Sequence, residues 1–357
     1  MPKIIRWGIL GTGYIAGEFA QGLKRVPNIQ LLAVGSRQFS RAQEFANRHQ
    51  IPQAFGSYED LANSDLDVVY VATPAARHRD DCLLCLHANK AVLCEKPFTI
   101  NAAQAKEVIE LAHSKQLFCM EAMWMRFIPL IQQVKRMIDG GEIGDICLLS
   151  ADFSVPTEFR PESRYYDPSL GGGVLLDRGI YALSLAFYLL GAPESMVSQA
   201  AIGKTQVDEQ IGMVLKYTQG QLAILSASFR TYSPNEAIIM GTKGRICLHE
   251  PFYRPHKIST VTKFPLVRGS AAPTSVGLKQ KLTAAMKQNA WVRSLYYQFE
   301  PFLKPAKTTL QPPDGNGYSY EAAEVVRCLQ MGELESKIMP LDETLKIMAA
   351  IDQMRQV

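Results

Sequence analysis

The sequence predicts a chain of mixed class in two parts: an α/β domain with a doubly wound parallel sheet, then an α+β domain on an open, mainly antiparallel β-sheet. Three observations point there. At 357 residues the chain exceeds the roughly 150 residues of one domain. Up to residue 122, short apolar runs alternate with helically spaced segments, whereas beyond Asp145 strand-like runs follow one another with little helix between. Hydrophobic residues make up 47% and charged residues 20%, enough apolar material for a core and too much for a disordered chain.

In the first part the apolar runs are Ile4–Leu10, Leu31–Val34, Val68–Ala72, Ala91–Cys94 and Leu117–Met120. Ile15, Phe19, Leu23 and Val26 recur at helical spacing, as do Ala105, Val108, Ile109 and Ala112. Strands alternating with helices build βαβ units around a buried parallel sheet. Residues 1–122 are therefore the first expected domain and 123–357 the second.

In the second part the strand-like runs are Ile146–Phe153, Met196–Ile202, Ile211–Tyr217, Leu222–Phe229, Ala237–Met240 and Arg245–Leu248. Tyr217–Gln221 and Gly241–Gly244 read as hairpin turns. A helix is expected over Val174–Leu190, and two more near Tyr320–Met331 and Asp342–Met354, the last opened by Pro340 and Asp342. Between sheet and final helices lies a basic insertion, residues 264–313. Around it Lys263, Arg268, Lys279, Lys281, Lys287, Arg293, Lys304 and Lys307 stand against the single acid Glu300. Leu278, Leu282, Ala285, Val292, Tyr296, Phe299 and Leu303 form an apolar stripe broken at Asn289. Two readings stay open: an amphipathic helix docked on the protein or a partner subunit, or a basic helix on an anionic membrane surface.

Several classes are excluded. The opening MPKIIRWGILGTG runs into a strand and fits neither a signal nor a transit peptide. No uncharged run approaches the about 18–20 residues of a membrane span. Seven cysteines, an odd number set in apolar segments, suit reduced thiols in the cytoplasm. Cys82 and Cys85 read as same-face residues of a buried helix, and the histidines lack HxxxH or HxH spacing, so no stable metal is expected. A net charge of +4 is too mild to imply nucleic acid.

Gly11-Thr12-Gly13-Tyr14-Ile15-Ala16 follows the first strand directly and opens a helix. In that setting Gly11 permits the tight turn, Gly13 lets backbone approach a pyrophosphate, and small Ala16 lets helix meet sheet, as in a Rossmann dinucleotide site. After the second strand, where an acid would hold a ribose hydroxyl, the chain reads Gly35-Ser36-Arg37, then Arg41. Arg37 offers a planar fork to a 2′-phosphate, so NADP (NADPH/NADP+) is the expected cofactor. Glu95-Lys96-Pro97 ends the fourth expected strand, where ligands gather in open parallel sheets; Lys96 can equally be a solvated lysine. Asp177 and Tyr181 lie four apart on one helix face, about 100° from the core stripe of Leu176, Ile180, Leu183, Phe187 and Leu190. That row belongs at a cleft edge, where a structural tyrosine is equally at home.

In order, GTGYIA, TPAARH (Thr73–His78), CEKP, EAMWMRF (Glu121–Phe127), GGGVLLDRGIY and GNGYSYEAAEV (Gly315–Val325) resemble the glucose–fructose oxidoreductase / inositol dehydrogenase superfamily. Within it the chain looks most like the dimeric dihydrodiol dehydrogenase branch, whose members also act as NADP-dependent D-xylose dehydrogenases. The resemblance covers nearly the whole chain outside the basic insertion. It implies a homodimer formed through the C-terminal sheet, an activating Lys96, an acid/base Tyr181 and an Asp177 that orients substrate. It also implies a substrate pocket lined by Trp124 and Phe153. Where relatives carry a PFW-like segment this chain has Pro251-Phe252-Tyr253, which puts Tyr253 in that pocket. The cofactor contacts implied are Gly11, Thr12, Gly13, Tyr14, Ile15, Ser36, Arg37, Arg41, Ala72, Thr73, Pro74, His78, Glu95, Lys96, Ala122, Trp124 and Arg126.

The expected activity is NADP-dependent hydride transfer at a CH–OH or hemiacetal carbon of a sugar, polyol or vicinal diol. The alternative is a non-catalytic NADP-binding sensor on the same fold. For Tyr181 to act as a base near pH 7 its pKa must fall by about 3 units, or ~4 kcal/mol. A lysine ~4 Å away supplies ~1 kcal/mol in water and ~4 kcal/mol at an effective dielectric of 20. The mechanism therefore requires a cleft largely closed to water.

Overall fold

The computed structural model describes residues 3–262, 291 and 306–355. Its first sheet contains β1 (Ile5–Leu10), β2 (Ile29–Gly35), β3 (Gln53–Phe55), β4 (Val68–Val71), β5 (Ala91–Glu95) and β6 (Cys119–Ala122). Their spatial order is β3-β2-β1-β4-β5-β6, all parallel. The connecting helices are α1 (Tyr14–Leu23), α2 (Phe39–His49), α3 (Tyr58–Asn63), α4 (His78–His87) and α5 (Ala102–Lys115). β4 and β5 are buried throughout, as strands covered by helices on both faces must be. The chain order reverses between β1 and β4, so a crevice opens beyond their carboxyl ends. β3 escaped the sequence reading because three residues, QAF, make no apolar run. Glu95 consequently ends the fifth strand, not the fourth.

After α6 (Pro129–Asp139) comes the second sheet, which includes β7 (Ile146–Ser154), β8 (Ser195–Ile202), β9 (Asp208–Lys216) and β10 (Leu222–Ser228). It continues through β11 (Ala237–Gly241), β12 (Arg245–Leu248), β13 (Lys257–Val261) and β14 (Lys307–Leu310). The order is β14-β13-β12-β11-β7-β10-β9-β8, antiparallel at every described pairing except the parallel β7–β10 pair. The sheet is thus mixed, though mainly antiparallel. β13 and β14 were not anticipated, since KISTV and KTTL are short and largely polar. β14 lies inside the basic insertion and gives its end an edge-strand role; apart from Trp291, which is helical, the helix expected upstream falls outside the described residues.

Burial alternates along β9 and β10, with Ile211, Met213, Leu215, Ala223, Leu225 and Ala227 facing inward. The inner face rests on α7 (Ile180–Leu190) and on a π-turn, Leu175–Gly179, that precedes it. The expected helix over Val174–Leu190 therefore opens with a wide turn rather than regular α geometry. The stretch Pro168–Leu190 is long and apolar enough to cross a bilayer, with a mean hydropathy of 1.4. It is a core element, for 83% of that window is buried inside the protein.

Two final helices, α8 (Tyr318–Met331) and α9 (Leu341–Arg355), return to the first domain. α8 lies on α1 and α9 lies between α5 and α7. At the α1–α8 crossing a side chain on Gly22 would meet Tyr318 Cβ at 2.9 Å. Cys82 and Cys85 are fully buried on α4, and all seven thiols are free.

Arg126 departs from its expected role. Its guanidinium is fully buried, ion-paired with Glu343, and donates to Ser184 Oγ and Ser184 O, each at 2.8 Å. The side chain thus ties the segment after β6 to α7 and α9 and does not reach the nucleotide cleft. Removing one member of a buried ion pair costs about 3 kcal/mol or more. Arg126→Met should accordingly lower the unfolding free energy from urea titration by that amount while leaving nicotinamide-dinucleotide affinity within about twofold, an amount worth under ~0.5 kcal/mol.

Candidate active site

A cavity of about 1110 Å³ runs from the carboxyl ends of β1, β2, β4 and β5 to the inner edge of the second sheet. Its floor is the turn between β1 and α1. Gly11 holds φ +112°, and a Cβ there would lie 2.6 Å from the Ala72 carbonyl oxygen, so only glycine fits. At Gly13, the residue capping α1, a Cβ would meet nothing within 4 Å. No side chain caps α1, so its first N–H groups open toward the cavity. Free helix N-terminal donors beside glycine form a phosphate cradle. The set fits a nicotinamide dinucleotide.

Thr12, Tyr14, Ile15, Ser36, Arg37, Arg41, Ala72, Thr73, Pro74, His78, Glu95 and Lys96 line the same cavity. Ser36 is buried, whereas Arg37 and Arg41 are exposed just past β2. Tyr14 is 78% exposed, leaving a broad aromatic face at the mouth. His78 acts as a strut: Nε2 lies 2.8 Å from Thr73 O and Nδ1 2.8 Å from Pro97 O. It thereby links the loops after β4 and β5 and fixes the backbone from which Lys96 projects.

Lys96 Nζ donates to the Asp177 carbonyl oxygen at 2.7 Å and lies 4.7 Å from the centre of the Tyr181 ring. The Asp177 carboxylate faces three cations: Arg164 at 3.2 Å, Lys96 at 3.5 Å and Arg178 at 3.7 Å. Burial pushes its pKa up, but Lys96, Arg164 and Arg178 together outweigh burial and hold it below the usual aspartate value. Tyr181 is 6% exposed. Burial, followed by the nearby Glu95 carboxylate, pushes its phenol well above the ordinary 10, although a hydrogen bond from Trp124 pulls the other way. This corrects the expectation that Lys96 brings the phenol down: the ammonium bonds to Asp177, and burial dominates. The side chain stands as a protonated acid.

Trp124 Nε1 donates to Tyr181 Oη at 3.0 Å, and its ring stacks on Tyr318 at 5.0 Å. It stands behind Tyr181 and does not line the cavity. Ala122 is likewise fully buried within β6. Phe153 and Tyr253 do line it, stacked on each other at 4.4 Å, with Tyr253 5.3 Å from the Tyr181 ring. Two of the three expected substrate aromatics, Phe153 and Tyr253, therefore form one wall beside the phenol.

Several lining residues were not anticipated. Arg164, Tyr165, Leu170 and Gly171 come from the irregular segment between β7 and the π-turn, which has no periodic signal. Arg178 was legible as the neighbour of Asp177. Its buried guanidinium donates to Ser228 O at 2.8 Å and lies 4.6 Å from the Phe229 ring centre. Tyr318, in the GNGYSYEAAEV motif, adds a further phenol.

A family model described as an oxidoreductase family with an NAD-binding Rossmann fold, GFO/IDH/MocA, matches residues 5–123. The GFO/IDH/MocA C-terminal domain matches residues 131–247. The trans-1,2-dihydrobenzene-1,2-diol dehydrogenase of Xenopus laevis is 35% identical over 353 residues, covering 98% of this chain and 96% of the frog protein. Its human counterpart is 32% identical over 357 residues, covering 99% and 96%. A 3-ketoreductase from Actinomadura kijaniata, solved with NADP and TDP-benzene, has a TM-score of 0.79 at 24% identity, covering 99% of this chain and 97% of that one. A levoglucosan dehydrogenase solved with NADH and L-sorbose has a TM-score of 0.81 at 16% identity, covering 99% and 96%.

The glycine turn yields a direct test. Gly11→Ala forces a left-handed φ on a residue with a Cβ, a strain of about 1–3 kcal/mol. Fluorescence titration should show binding of the reduced nicotinamide dinucleotide weakened at least about tenfold, which corresponds to ~1.4 kcal/mol.

Proposed function

The chain belongs to the GFO/IDH/MocA oxidoreductase family, and from that premise we propose that it transfers hydride between NADP and a CH–OH or hemiacetal carbon of a sugar, polyol or vicinal diol. The observation carrying this reading is that Lys96, Asp177 and Tyr181 meet on the wall of the cavity whose floor is the Gly11–Gly13 turn. When bound, the nicotinamide supplies the hydride donor or acceptor. In reduction Tyr181 gives its phenolic proton to the substrate oxygen; the reverse, oxidative transfer needs the phenolate to take the hydroxyl proton, a form that the raised pKa reserves for alkaline pH. Trp124 holds Oη from behind, so the phenolic proton is free to point into the cleft. Lys96 places positive charge over the ring as phenolate character grows, and Asp177, kept ionised by its three cations, orients a substrate hydroxyl. The intact trio stands against the non-catalytic sensor.

Preference for NADP is supported by Ser36 and Arg37 beyond β2, where no carboxylate is present to repel a 2′-phosphate. Assembly as a cytoplasmic homodimer is part of the same proposal. Val197, Val214, Leu222 and Ile224 are 68%, 38%, 38% and 48% exposed on the outward face of β8, β9 and β10. An apolar patch of this kind suits a second copy of the chain.

A screen of pentoses, hexoses, inositols and dihydrodiols with NADP+ should reveal a substrate by absorbance. With it, Tyr181→Phe should lose about a hundredfold or more in kcat, and near-normal turnover would end the assignment. Because the acid must be protonated and its pKa is raised, reductive activity is lost only as pH climbs through that raised value. The reductive kcat/KM should thus stay level from neutrality to at least pH 10; a descending limb near pH 7 would exclude Tyr181 as the acid. Arg37→Ala should weaken NADPH binding roughly 10–100-fold, as expected for a charged hydrogen bond, with NADH binding little changed.

A further inference from the structure

On the outward face of the second sheet, three ligating side chains that the redox chemistry leaves unused meet at the β11–β12 pair: Glu236 just before β11, Cys247 on β12 and His249 just after it. Ala237 pairs with Leu248, which sets Glu236 across from His249. Cys247 lies two residues before His249, and alternate residues of an extended strand share a face. His249 Nδ1 is 2.9 Å from Glu236 Oε1 and 3.8 Å from Cys247 Sγ, and the three donor atoms all lie within 4.8 Å of one another. His249 Nε2 shares a 2.8 Å hydrogen bond with Ser259 Oγ on β13. The Glu236 and His249 side chains are 32% and 26% exposed in the single chain.

We propose that Glu236, Cys247 and His249 bind a divalent transition metal, with zinc the best match. Tetrahedral bonds of about 2.0–2.3 Å separate neighbouring donors by roughly 3.3–3.6 Å. The observed 2.9 and 3.8 Å bracket that range and the Glu236–Cys247 donors lie within 4.8 Å, so a modest side-chain adjustment admits an ion. One sulfur, one imidazole and one carboxylate form a mixed set suited to zinc rather than to magnesium or calcium, which take oxygen. Ser259 supplies the outer oxygen to which a metal-bound histidine gives its remaining N–H. Three protein ligands leave a fourth position for water or an external donor. The absence of HxxxH and HxH spacing pointed away from a metal, because these ligands are brought together by the pairing of β11 with β12 and not by spacing along one segment. The cluster lies on β11–β12, apart from the exposed apolar residues on β8–β10.

Cobalt is a coloured stand-in for zinc. Full-length, tag-free, chelator-washed protein should take up one equivalent of Co²⁺ with a thiolate-to-cobalt charge-transfer band that zinc bleaches. Cys247→Ser should abolish the band, and Glu236→Gln should weaken cobalt binding at least about tenfold, or ~1.4 kcal/mol. Cys147→Ser, which removes an exposed thiol, should leave the band intact. Metal-free thermal midpoints and NADPH titrations report whether each variant folds; should Cys247→Ser fail to fold, Glu236→Gln decides. No band, a band that survives Cys247→Ser, cobalt affinity unchanged in Glu236→Gln, or binding weaker than about 1 mM (~4 kcal/mol) overturns the proposal.

Discussion

The Lys96 ammonium bonds at 2.7 Å to the Asp177 carbonyl oxygen, and in doing so it joins the end of β5 to the π-turn of the second domain. The hydrogen bond works only because both partners are sheltered: the side chains are 12% and 16% exposed. In such surroundings a unit charge acts at a few ångströms with several times its strength in water. Bringing a lysine, two arginines and one aspartate together demands compensation, and the carbonyl oxygens of Asp177, Val155 and Ser228 supply part of it. The site is polar architecture resting on backbone oxygen, with aromatic rings closing the gaps.

The aromatic rings have a separate task. Tyr181 meets Trp124, Phe153 and Tyr253, while Trp124 is braced in turn by Tyr318 from α8. Each ring has few rotatable bonds, so the phenolic oxygen is held at little entropic cost. Arg126, lying beyond this group, ties the same segment to α7 and α9.

Much of this was legible in the sequence. Local signals reported local structure: the glycine turn marked the strand-to-helix junction, and apolar periodicity marked most strands. Strands too short or too polar for periodicity, β3, β13 and β14, passed unseen. The site divided along the same line. Residues beside turns or at strand ends, such as Gly11, Lys96 and Asp177, were readable, whereas Arg164 and Tyr165 reach the cleft from an irregular segment. Arg126 and Trp124 sat in a recognisable motif, yet motif membership carries no direction, and both side chains point into the protein body. The phenol's raised pKa was hidden for another reason: it reflects burial and charge summed over residues far apart in the chain.

The return of α8 and α9 to the first domain has a consequence for biogenesis. The nucleotide-binding half leaves the ribosome before α8 and α9, which cover one face each of α1 and α5. Until α8 and α9 have been made, those surfaces lack their cover, and Trp124 lacks its Tyr318 support. Vectorial translation thus hands the cell a half-finished cofactor domain, whose maturation waits for helices encoded beyond the second sheet.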